Sequence, residues 1–304
     1  MVTESWRDDF FRIRQDVKFW YFRNRVDLQH VNLGAFRYFS DMSLDLPLFK
    51  KLKSTNFSEL NNKLIETYMR TNVTTIFVNL GLTIQFAPFL EAIYDSFTGT
   101  FIIDTLDQSL ESRPAWISPK AHWAAAHLTT PFESSGLLIP VGVEEARRGT
   151  NNRTFSFNIE HEKVAKVLVG PFGLTHPERI SLLSWNQTPA ITIQKLRIAP
   201  RDYALISSKH MFVLCPRGNG LDTHRFWESL CRGSIPIVKK SQWSQYFAGL
   251  GLPMLEVEDL SRVKAFQTSE LEYIYNSKKE MFHSNSYLFD NNYWFRKILL
   301  FSEA

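Results

Sequence analysis

The sequence predicts an α/β fold built on parallel sheets. Short apolar runs rich in β-branched residues alternate with helical periodicities along most of the chain, and that alternation is the signature of strand–helix–strand units. The clearest unit runs from His210 to Lys239, HMFVLCPRGNGLDTHRFWESLCRGSIPIVK, and reads as strand, glycine loop, helix, strand. At 304 residues the chain is long enough for two domains, each with its own core.

In order, Trp6, Phe10, Ile13, Val17 and Trp20 recur at intervals of three and four and predict an amphipathic helix. It either packs on a domain core or lies on a membrane surface as a peripheral contact. Residues 27–70 are polar, with one helix expected near Phe57 to Met69. Thr74 to Leu80 reads as a strand, Phe86 to Ser96 as the helix after it, and Thr100 to Ile103 and Gly136 to Val141 as two further strands. The polar, turn-rich Glu144 to Thr154 is the expected linker, giving an N-terminal domain over 1–150 and a second over 151–285.

The second domain is expected to begin with strand Val164 to Val169. Helix Pro177 to Leu183, strand Ile191 to Leu196 and helix Pro200 to Ser208 follow. The central unit then contributes strand Met211 to Cys215, the open turn Pro216 to Gly220, a short helix and strand Ile235 to Val238. Asp222 or Thr223 can cap that helix, and Gly233 stands where a C′ glycine belongs. Phe226, Trp227, Leu230 and Cys231 share its apolar face; Asp222, Arg225, Glu228, Ser229 and Arg232 share the other. Trp243 to Ala248 and Leu260 onward read as helices. The aromatic segment 286–304 is expected as a terminal helix crossing back to the N-terminal domain.

Bulk chemistry narrows the function classes. Hydrophobic residues make up 44% and charged residues 22% of the chain, as in soluble globular proteins. A net charge of +4 without any Lys/Arg run argues against a nucleic-acid partner. No apolar run reaches the roughly 18 residues that span a bilayer, and the N-terminus lacks a signal-peptide h-region, so neither a transmembrane segment nor secretion is expected. Cys215 and Cys231, the only cysteines, fall on apolar faces and are expected as buried free thiols.

The glycine loop is an anion-binding candidate. Its N–H groups and the following helix N-terminus would sit at the carboxyl end of a parallel sheet, with Arg217, His224 and Arg225 adding positive charge. It has no Lys-[Ser/Thr] after the glycines, which excludes a Walker loop, and Gly218-Asn219-Gly220 lacks the third glycine of a dinucleotide fingerprint.

CPRGNGLDTHRFWESLCRGSIPIV resembles the C-terminal signature of exostosin-like glycosyltransferases, in particular the compact versions of algae and their large DNA viruses. The likeness extends to LVGPFGLTHPERISLLS (Leu168 to Ser184) and, more loosely, to FIIDTLDQS (Phe101 to Ser109). It implies a GT-B fold, two Rossmann-like domains facing across a cleft, with a UDP-sugar donor held by the second domain and a glycan acceptor read by the first. Location in the cytoplasm, that of an infected algal host cell for a viral member, is the matching expectation. Xylose is the donor sugar those relatives suggest.

The resemblance also implies roles. Arg179 and Arg225 would neutralise the departing diphosphate, with Arg217 in reserve, because an arginine fork grips phosphate oxygens. Glu228 would hold the ribose hydroxyls. Gly218, Asn219, Gly220, Asp222, Thr223, His224 and Thr175 would complete the donor site, and His176 is a further candidate contact. Asp107 would take the acceptor proton in an inverting displacement, with Asp104 and His122 as alternatives. No DxD motif is present, so a metal is not expected. The alternative from another class is a catalytically inactive glycan-binding module on the same fold.

Overall fold

The computed structural model describes residues 33, 36, 40–44, 57–106, 108–129, 136–143 and 162–301. The amphipathic pattern Trp6 to Trp20, the linker Glu144 to Thr154 and Asp107 lie outside the described residues.

Two parallel five-stranded sheets organise the chain. The first contains β1 (Met42–Leu44), β2 (Thr75–Asn79), β3 (Thr100–Asp104), β4 (His122–Ala125) and β5 (Gly136–Leu138), in that spatial order. Helix α1 (Phe57–Arg70) precedes β2, and α2 (Ala87–Ile93) connects β2 to β3. All five residues of β2 are buried, as in a strand covered on both faces.

The second sheet contains β6 (Val164–Val169), β7 (Ile191–Ile193), β8 (His210–Leu214), β9 (Ile235–Lys239) and β10 (Leu255–Val257), in the order β10-β9-β8-β6-β7. Its helices are α3 (Pro177–Leu182), α4 (Pro200–Ser208), α5 (His224–Cys231) and α6 (Gln242–Gly249), followed by α7 (Thr268–Lys278), α8 (Met281–Ser284) and α9 (Asn291–Phe301). The chain moves outward from β6 to β7 and then jumps back past β6 to β8. Strand order therefore reverses between β6 and β8, and that is where open α/β sheets bind ligands.

Local chemistry explains the central unit. Helix α5 ends in the expected glycine: Gly233 has φ of 70°, its N–H donates to Leu230 O at 2.9 Å, and the Ser234 N–H donates to Ser229 O at 2.9 Å. Those two bonds form a Schellman motif, which satisfies the last helical carbonyls and turns the chain into β9. The polar face of α5 is more enclosed than its amphipathic pattern suggests, because Ser229 and Arg232 are buried along with Asp222.

Most of the large buried side chains are aromatic. Phe226 meets Trp243 at 5.0 Å, Trp227 meets Phe247 at 5.3 Å, and Phe247 meets Trp294 at 5.8 Å, nearly all edge to face. Such pairs add about 0.5–1.5 kcal/mol each beyond the area they bury. Helix α9 joins both sheets: Trp294 packs on the second unit, while the Phe301 ring lies 5.5 Å from His122 of the first. Cys215 and Cys231 are both buried as thiols.

The carboxyl ends of the two sheets face each other. The chain leaving β8 reaches Asp222, which bonds to Val141 just beyond β5 and to His127 just beyond β4. Two Rossmann-like units joined with their strand ends opposed form the GT-B arrangement.

Candidate functional site

The site is built from the two loops that flank the strand reversal. After β6 the chain runs Gly170 to His176 into α3; after β8 it runs Cys215 to Thr223 into α5. Arg179, in the first turn of α3, fastens one loop to the other. Its Nε donates to Arg217 O at 2.8 Å, Nη2 to Pro216 O at 3.3 Å, and Nη1 to Gly173 O at 3.2 Å and Thr175 Oγ1 at 3.1 Å. Because the peptide is trans and planar, the Arg217 N–H points away from the Pro216 carbonyl that Arg179 holds. Gly218 packs so close to Arg179 that an added Cβ would lie 3.0 Å from Nη2.

Arg225, in the first turn of α5, also joins the loops but faces inward. Nη1 donates to Gly170 O at 3.2 Å and to the Tyr203 hydroxyl, and Nη2 donates to Pro171 O. The guanidinium lies 4.9 Å from the Phe172 ring centroid and 4.6 Å from that of Tyr203. Burial pushes the Tyr203 hydroxyl up to about 12, so it stays protonated beside the cation.

Glu228 stands one turn along α5. Arg225 stands three residues before it on the same face, yet the Glu228 carboxylate lies 3.5 Å from Arg232 Nη2. Arg217 turns back on its own loop, donating to Asn219 O at 2.8 Å. His176 caps α3, its Nδ1 accepting from the Glu178 N–H at 3.3 Å.

Asp222 and His224, expected on the donor, face the other unit instead. Asp222 is buried; Oδ2 accepts from the Val141 N–H at 2.8 Å and Oδ1 from the indole N–H of Trp227 at 2.8 Å. Its own N–H donates to His127 Nδ1 at 3.2 Å. His224 Nδ1 lies 2.8 Å from Gly142 O. Burial raises the Asp222 carboxyl to about 6, against the opposing pull of His127 and the two N–H donors. Thr223 occupies the N-cap position of α5, with extended backbone and no side-chain capping bond.

Among the base candidates, Asp104 ends β3 at the carboxyl edge and accepts from the Leu106 N–H at 3.1 Å and from Asn79 Nδ2 at 3.4 Å. His122 begins β4, paired with Thr100, and so lies at the amino edge, roughly 13 Å from Asp104 along the strands. That end faces away from the reversal point.

His127 was not singled out by sequence reasoning, although it closes the same KAHWAAAH stretch as His122. It is buried, has a left-handed φ of 59°, and packs against Gly220, where an added Cβ would come within 2.2 Å of its Nδ1. A non-glycine residue in that region is a local signal only the backbone reveals.

No family model and no curated protein matches the chain. Among solved structures, it is similar to an α,α-trehalose-phosphate synthase (UDP-forming) from Burkholderia vietnamiensis, 8% identical, with 80% of this chain and 78% of that chain covered and a TM-score of 0.41. It is also similar to a structure described as trehalose-6-phosphate from E. coli bound with UDP-2-fluoro glucose, at 8% identity, 82% and 78% coverage, and a TM-score of 0.44. AviGT4, a glycosyltransferase involved in avilamycin A biosynthesis, is 10% identical, with 78% and 86% covered and a TM-score of 0.39.

Among the described residues, no group of three or more His, Cys, Asp or Glu side chains could hold a metal ion, and no helix is long and apolar enough to cross a membrane.

Proposed function

We propose that this chain transfers a sugar from a UDP-sugar to a hydroxyl of a glycan acceptor. The supporting observation is the meeting of the Arg179 and glycine loops at the β6/β8 reversal, beneath the opposed strand ends of the first unit. In this reading the Arg217 N–H, the N-terminus of α5 and the accessible side of Arg179 take the diphosphate. Glu228 accepts hydrogen bonds from the ribose hydroxyls. Arg225 shapes the loop after β6 by holding the Gly170 and Pro171 carbonyls.

The acceptor enters from the first unit. A carboxylate after β3, Asp107 with Asp104 just before it, takes the acceptor proton as the hydroxyl oxygen bonds to the anomeric carbon and UDP leaves. This is an inverting displacement without a metal, and xylose is the sugar proposed from the sequence resemblance.

The test is UDP release from a panel of UDP-sugars, UDP-xylose included, with glycan acceptors, comparing wild type with Arg179→Ala and Glu228→Gln. Loss of one charge-stabilising group is expected to lower turnover on the order of a hundredfold for Arg179→Ala. Failure to consume any UDP-sugar, or wild-type rates in both variants, overturns the reading.

A further inference from the structure

The edge of the second sheet next to the candidate site carries an apolar and basic rim. Leu196, in the loop after β7, is 77% exposed; Leu174, in the loop after β6, is 60% exposed; Ile180 and Leu183 at α3 are 54% and 40% exposed. The segments that carry these residues adjoin one another. Lys195 and Leu196 border one groove with Trp185, Asn186 and Gln187, a stretch that begins three residues past the end of α3. Gln194 O packs against Gly170, at the start of the loop that bears Leu174. Large exposed aliphatic side chains carried on adjoining segments are candidates for a place of contact.

The charge around them is mostly positive. Lys195 and Arg197 flank Leu196 and are exposed, and Lys264 Nζ lies 4.9 Å over the Trp185 ring. From Gly170 to Asp202 the basic residues Arg179, Lys195, Arg197 and Arg201 outnumber the acidic Glu178, whose carboxylate lies 3.6 Å from Lys239, and Asp202 in the first turn of α4.

We propose that this rim docks on an anionic lipid bilayer. The aliphatic side chains come from three segments and are interleaved with cations. This suits diffuse negative headgroups above an acyl boundary better than one complementary protein chain: the lysine and arginine heads stay at the headgroup level while the leucines enter below them. Docking here would bring the loops after β6 and β7 to the bilayer and set the opening of the candidate site beside lipid headgroups. It requires no sugar transfer, so it stands or falls separately from the proposed activity.

The test is co-sedimentation of the full chain with vesicles of phosphatidylcholine alone or mixed with phosphatidylserine. One variant is Lys195→Gln with Arg197→Gln; the other is Leu174→Ser with Leu196→Ser. All four side chains are exposed, and an unchanged thermal melt confirms that each variant folds. Wild type is expected to bind the phosphatidylserine vesicles selectively, and the basic variant to bind on the order of tenfold more weakly. The leucine variant is expected to lose the binding that survives high salt. Absence of wild-type binding to phosphatidylserine vesicles overturns the proposal. So does undiminished binding by both variants, which would assign lipid contact to another part of the chain.

Discussion

Asp222 accepts a hydrogen bond from the backbone N–H of Val141 at 2.8 Å, which ties the glycine loop of the second unit to the strand end of the first. The same carboxylate holds the Trp227 indole N–H, so it satisfies two buried donors. A buried donor left without an acceptor costs about 1–3 kcal/mol. Asp222→Ala should therefore destabilise the fold by roughly 2–6 kcal/mol, and Asp222→Asn, which keeps one acceptor oxygen, by about half as much. Urea denaturation of the three proteins measures this; an Asp222→Ala midpoint equal to wild type would contradict it.

The same residue predicts a pH dependence. Its carboxyl is raised from the usual 3.8 to about 6 by burial. Between those values the folded chain holds a proton that the unfolded chain has lost, so the contribution is full below 3.8 and disappears as pH rises through about 6. Relative to Asp222→Asn, the wild-type unfolding free energy should fall by up to about 3 kcal/mol across that window and then stay level. A constant difference between the two proteins at every pH would refute the assignment.

Gly220 packs against His127 where an added Cβ would lie 2.2 Å from Nδ1. Gly220→Ala should push the glycine loop off the first unit and lower the melting temperature. Trimming the obstacle in the double variant Gly220→Ala/His127→Ala should recover part of that loss, giving a coupling of roughly 0.5–3 kcal/mol in a double-mutant cycle. Strictly additive effects would mean that the two residues do not meet.

Arg225→Lys keeps the charge but loses the planar fork that spans the Pro171 carbonyl and the Tyr203 hydroxyl between two aromatic rings. A loss of about 1–3 kcal/mol in stability is expected. On the proposed activity, the rate should fall together with donor affinity, since the displaced loop after β6 lines the same site.

The central unit was legible because each of its signals is local: β-branched strands, open glycine turns and a C′ glycine at Gly233. Strand β4 was not, since His-Trp-Ala-Ala carries more helix than strand preference; β1 (Met-Ser-Leu) and β10 (Leu-Glu-Val) are each broken by a polar residue and lack an apolar run like the one that begins at β5. The inward turn of Asp222 and His224 depends on partners some eighty positions away, Val141 and Gly142. No spacing within the HRFWE helix encodes that choice, so residues on its polar face read as ligand contacts when some of them join the two units.

The most direct test of the donor site is calorimetric titration of UDP into the wild-type chain and into Arg179→Ala, both in EDTA. The account predicts one site that survives chelation and weakens on the order of tenfold or more when Arg179, with its hold on Pro216 and Arg217, is removed. Equal UDP affinity in the two proteins, or no binding by wild type, would contradict a nucleotide site at the β6/β8 reversal.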